Sequence, residues 1–128
     1  MGNQVTNIGG VLSAVTNTIA YTNSSAVTIG TVPAGAQIVS INIDVTTAFN
    51  AATTNTVTVG KSGSAAAFVA STSIGSAGRA SVATTGVYSA WADVGSADVP
   101  VTATYSQTGT AATAGAARVT IVYRYPAP

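Results

Sequence analysis

Residues 37–46 read QIVSINIDVT, and this stretch decides the fold class. Val39, Ile41, Ile43 and Val45 alternate with Ile38, Ser40, Asn42 and Asp44. A period of two puts an apolar row on one side of an extended chain and a mostly polar row on the other, which is the pattern of a half-buried strand. A helix, turning once in about 3.6 residues, would scatter the same apolar residues around its circumference.

The pattern recurs on both sides of the later turns. In residues 98–106, Val99, Val101, Ala103 and Tyr105 alternate with Pro100, Thr102 and Thr104. Pro100 has no N–H to give a ladder, so at least the start of this strand is predicted at a sheet edge. In residues 117–125, Val119, Ile121, Tyr123 and Tyr125 oppose Arg118, Thr120, Val122 and Arg124. Shorter strands are predicted over 26–32, 56–60, 68–73 and 87–92. Turn signals separate them: Pro33-Ala34-Gly35, residues 50–55, 61–63, 75–78, Gly95-Ser96 and 109–115. Helix has little to build on, because Leu12 is the only Leu, Lys61 the only Lys, and Glu is absent. About seven short strands at this spacing predict an all-β fold, an antiparallel β-sandwich or jelly-roll-like barrel.

Residues 1–23 differ from the rest. They are rich in Asn, Gly and Thr, with Val11, Leu12, Val15, Ile19 and Tyr21 as scattered anchors. They are predicted to be an extended N-terminal arm that adds an edge strand or lies across a neighbour, the alternative being a frayed terminus. Residues 24–128 make the sandwich domain, a length that fits one domain.

Charge is the unusual feature of the composition. Charged residues are 5% of the 128, against about 25% in an ordinary soluble domain. Small neutral residues fill the space, and the mean hydropathy is +0.44. Such a surface has little colloidal repulsion and suits a chain that packs against other copies or partners, a Ser/Thr-surfaced extracellular domain being the plainer alternative. The net charge of +1 offers no basic stripe for phosphates, so nucleic-acid binding is not expected. No window reads as a membrane helix. The first residues lack the cationic and apolar regions of a signal peptide, so synthesis in a cytoplasm is expected.

Catalysis is not expected either. The chain has no His and no Cys, which removes the usual proton shuttles and activated nucleophiles. No metal or cofactor is expected. Asp93 and Asp98 flank Gly95 and make a thin case for Ca²⁺, which wants six to eight oxygens, about the number a carboxylate-rich loop supplies. Gly60-Lys61-Ser62 resembles the end of a phosphate loop, but Asn55 stands where that motif needs its first Gly. Tyr88, Trp91 and Tyr105 could stack on a sugar or plug the ends of a β core. Arg118 and Arg124, on a strand otherwise without charge, suit bidentate contact to a carboxylate of a partner or, within the chain, of Asp44.

Three segments carry a family resemblance. TIGTVPAGAQIVSINIDVTTAFNAATTNTVTV at 28–59, the GKSGSAAAFV that follows it, and the closing ATAGAARVTIVYRY resemble the small capsid decoration (cement) proteins of tailed bacteriophages. The likeness covers about residues 26–125 and consists of turn-and-strand signatures, leaving the arm unmatched. It implies a β-sandwich protein on the virion that binds the outside of an icosahedral head and clamps neighbouring subunits of the major capsid protein. It also implies a homo-trimer at three-fold positions, or a dimer at two-fold ones. Under that reading the partner contacts are expected at Val11, Leu12, Ile19 and Tyr21 of the arm, at Phe49, Phe68 and Trp91, and at Arg118 and Arg124 as a polar clamp. The other function classes the sequence leaves open are a tail or fibre component and a receptor- or carbohydrate-binding β module.

With no imidazole in the chain, titration of binding between pH 5 and 8 should show no transition from a histidine of this protein. A binding isotherm repeated across that range checks it; a sharp step would assign the titrating group to the partner.

Overall fold

A computed structural model describes residues 12–82 and 88–124. The elements are β1 (Leu12–Ala20), β2 (Val27–Val32), β3 (Gln37–Thr47), β4 (Thr54–Lys61), β5 (Ser64–Ser73), β6 (Gly78–Arg79), α1 (Tyr88–Ala92), β7 (Val99–Thr108) and β8 (Ala116–Arg124). They form two four-stranded sheets, ordered β1-β8-β3-β6 and β2-β7-β4-β5. The pairing is nested: β1 with β8, β2 with β7, β3 with β6 and β4 with β5, all antiparallel. The chain behaves as one long hairpin rolled up so that successive pairs fall in alternate sheets. Extra seams between β3 and β8 and between β4 and β7 complete each sheet. That is jelly-roll connectivity on two packed sheets, so the antiparallel β-sandwich the sequence predicts is the architecture present.

The alternating residues fill the space between the sheets. Ile41, Ile43, Val45, Val119 and Ile121 from the first sheet meet Val57, Val59, Val101 and Ala103 from the second, all buried. Val39 departs from its predicted place. It is 44% exposed while Ile38 is buried, because the ladder sets Ile38 opposite Tyr123 and Ser40 opposite Val122, with Val39 as the extra residue of a bulge. One extra residue reverses the parity of a strand.

Of two further expectations, an open edge at the start of β7 is met and the strand over 87–92 is corrected. β7 lies inside its sheet between β2 and β4. Pro100 is tolerated there because β4 ends its pairing at Gly60 opposite Thr102, leaving only β2 alongside at Pro100. The strand expected over 87–92 is instead the five-residue α1, with Val87 outside the described residues. Ala90 and Trp91 both pack against the core. Neighbours in a strand point to opposite sides, so a helical turn is what lets both face inward.

The β3–β4 and β7–β8 loops lock one end. Asn50 Oδ1 accepts from the N–H groups of Thr113 (2.8 Å) and Ala114 (3.0 Å), and Asn50 Nδ2 donates to Thr113 Oγ1 at 3.0 Å. Beneath them the Phe49 ring lies 4.7 Å, centre to centre, from that of Tyr105. Gly115, at φ +151°, leaves room for the ring; a Cβ there would overlap it. At the opposite end Asp98 Oδ1 accepts from Ala34 N–H (2.9 Å) and Asp93 Oδ1 from Gly95 N–H (2.8 Å).

Phe49 is 1% exposed, so Phe49→Ala should cost about 3–5 kcal/mol of unfolding free energy. Urea denaturation reads it directly; Arg118→Ala, on the exposed surface, should leave the midpoint where it is.

Candidate functional site

The outward side of the first sheet carries most of the chain's unusual surface. Antiparallel register puts paired residues on the same face, and four rows cross this one. At one end run Thr18, Arg118, Asp44 and Arg79; then Thr16, Thr120 and Asn42; then Ala14, Val122 and Ser40; and at the far end Leu12, Arg124 and Gln37. Leu12 is 55% exposed and Val39 44%. Both lie toward the far end, on opposite sides of β8.

Charge on this face is arranged economically. Arg79 Nε donates to Asp44 Oδ1 at 2.8 Å, and that hydrogen bond, with the attraction of the carboxylate, raises the already high pKa of the guanidinium. The pair is exposed, so it contributes little to stability. Arg124 Nε donates to Gln37 Oε1 at 2.6 Å. Arg118 stands beside Asp44 in register, yet makes no hydrogen bond or ion pair among the described residues. The carboxylate that could have answered either strand arginine is taken by Arg79.

The residues expected to contact a partner are divided by the structure. Arg118 is exposed and Arg124 half-buried on the outer face, with Leu12 in the same row as Arg124. Tyr21, in the β1–β2 turn, is 36% exposed. Val11 lies outside the described residues. Ile19, Phe49 and Phe68 are buried at 0–1% exposure, because β1 turns Ile19 toward the second sheet, Phe49 tucks beside Tyr105 and the middle of β5 turns Phe68 into the core. These three have no side-chain surface left for a partner. Trp91 is half-buried and its Nε1 donates to the Phe68 carbonyl at 2.7 Å. Sequence reasoning missed Val39 and Arg79. The bulge that exposes Val39 has no signature in QIVS, whereas Arg79 was findable as the cation an acidic residue in a neutral strand would need.

Two other features singled out in the sequence serve the fold. The Gly60-Lys61-Ser62 stretch is the start of a hairpin in which Lys61 pairs with Ser64 across a two-residue turn, with Gly63 at φ +81°. The Tyr105 hydroxyl donates to Asn55 Oδ1 at 2.7 Å. Among the described residues no three potential metal-ligating side chains come together, and no ligand-sized pocket opens on the surface. The geometry offers a broad β face that carries three arginines and one aspartate, with the Arg118 guanidinium unpaired among the described residues, suited to contact with another surface.

No protein-family model matches the chain, and no curated protein matches it significantly. Solved structures do. A chain of the cyanophage Pam1 capsid asymmetric unit superposes with a TM-score of 0.73 at 22% identity, over 98% of this chain and 93% of that one. A chain of the acid-stable capsid of Helicobacter pylori bacteriophage KHP30 gives 0.64 at 14% identity, over 93% and 91%. At these identities what is shared is the jelly-roll fold along nearly the whole length.

Burial raises the pKa of Tyr105 above the ordinary phenol value of 10.0. The fold therefore favours the neutral phenol; its contribution is complete below the unfolded value and is lost as pH rises through the folded one. Thermal unfolding followed from pH 8 upward should show this loss at alkaline pH, and Tyr105→Phe should flatten it.

Proposed function

We propose that the chain is a structural protein of a phage virion that binds the outer surface of the head and braces contacts between subunits of the major capsid protein. The observation that carries this reading is an end-to-end jelly-roll likeness to chains of two phage capsids, in a protein whose described residues offer a broad face and no ligand pocket. The sequence resemblance to head decoration proteins supports the finer assignment. The protein would be made in the host cytoplasm and act as a homo-oligomer, a trimer at three-fold sites or a dimer at two-fold ones.

The physical argument runs through the same face. Its Ala, Thr, Ser and Val side chains can be buried against a shell with little charge-desolvation cost. Arg118 has its fork free for a capsid carboxylate, where a charge-assisted pair gains most. Each contact is small, but a shell repeats it at every site, and multivalent contacts within an oligomer multiply. The sugar-platform alternative is weakened by its own residues: the Tyr105 ring is buried against Phe49 and has no open face for a sugar, and the Trp91 indole N–H is spent on the Phe68 carbonyl.

Purified protein added to undecorated heads should bind saturably and raise their melting temperature. Arg118→Glu should weaken that binding by about tenfold or more while leaving the isolated fold intact. Absence of binding to heads, together with binding to host cells or glycans, would overturn the reading in favour of a receptor-binding module.

A further inference from the structure

Four sheet edges end the two sheets, and three of them are blunted. β2 is six residues long and bulged at Ile29, and its Thr28 carbonyl accepts from Asn17 Nδ2 at 3.0 Å. β6 is two residues long. On β5 the Phe68 carbonyl is covered by the Trp91 indole. These are the devices by which natural sheets avoid pairing with other chains.

β1 is different. It has nine residues in unbroken register with β8, and no charge, proline or bulge. Two hydrogen bonds reveal which of its backbone groups face away from β8. Thr18 N–H donates to Asn17 Oδ1 at 2.8 Å and Ala20 N–H to Asn23 Oδ1 at 2.6 Å. The even-numbered residues therefore turn their N–H and C=O groups to the free side, since groups alternate along a strand. Asn17 and Asn23 stopper this edge from Thr18 onward, and Asn23 N–H also fills the Ala20 carbonyl at 3.0 Å. Leu12, Ala14 and Thr16 are left open among the described residues.

We infer that this half-edge pairs with the same half-edge of a second copy of the chain, antiparallel about a two-fold axis at Ala14. The open positions are symmetric about Ala14, so Leu12 meets Thr16 of the copy and Ala14 meets Ala14, each pair exchanging two backbone hydrogen bonds. Charge admits it: β1 carries none, so no like charges face each other at the seam, and the nearest cations sit one strand inward on β8. Three pairs bury far less than the roughly 1,200–2,000 Å² of a stable complex. The contact is thus weak alone and takes hold where copies are held side by side, at effective concentrations of about millimolar. An isologous contact of this kind favours the two-fold arrangement over the three-fold ring. The inference does not depend on what the outer face binds.

Sedimentation equilibrium over rising concentration, with amide exchange read at Leu12, Ala14 and Thr16, tests it without any phage head present. Dimers should appear as concentration rises, with those three amides slowing in step. Ala14→Pro removes only an outward N–H, which edge positions tolerate, and should abolish the dimer and the added protection. Ala14→Lys, which sets two ammonium groups opposite each other at the two-fold axis, should do the same through charge repulsion and carries the test if the proline variant misfolds. A chain that stays monomeric at millimolar concentration, or self-association that persists in Ala14→Lys, would overturn the inference.

Discussion

The pairing of β8 with β1 on one side and β3 on the other is the contact on which the rest of the structure depends. It joins the last described strand to the first and third, so every other pair is nested inside it. Closing so long a loop costs chain entropy that only a large apolar surface can offset. That surface is the row Ala117, Val119 and Ile121 on β8, fully buried against Ile19 and Ile43 from its two neighbours and against the opposite sheet. Because β8 is central, its other side becomes the middle of an exposed face. Arg118, Thr120 and Val122 are displayed there because their odd-numbered neighbours must be buried.

Scarcity of charge has a structural consequence beyond solubility. With so few ionic groups, the loops are tied down by neutral hydrogen bonds: Asn50 holds two backbone N–H groups across from its own loop, and Asn55 receives both Ala51 N–H and the Tyr105 hydroxyl. Asn and Thr do here what ion pairs do in a more charged protein, without the desolvation cost. The two acidic residues at the other end cap turns. What is left for contact with other molecules is then a face of mostly small neutral side chains on which, among the described residues, the Arg118 guanidinium is uncommitted.

The same economy governs the edges. Trp91 and Asn17 each place a side-chain donor on an edge-strand carbonyl, and Trp91 was open to a different reading in the sequence. Trp91 in particular has the composition of a binding residue and the geometry of an edge cover. An aromatic residue beside Gly and Ser turns is ambiguous in one dimension, since both roles want it at the end of a β core.

The sequence by itself determined the class of the fold and the inward faces of its regular strands. Period-two alternation in residues 98–106 and 117–125 is enough to choose which side chains are buried, because a strand has only two faces. It also settled what the chain lacks, since His and Cys cannot be supplied by folding. The tertiary structure alone decided which strands neighbour one another, and hence that Arg79, from a two-residue strand inside a predicted turn, takes Asp44 and leaves Arg118 free. It alone moved Val39 outward, made a helical turn of 88–92, and sent Ile19, Phe49 and Phe68 into the core. Those outcomes turn on register, bulges and partners far along the chain, and no local pattern of residues encodes which distant strand will lie alongside.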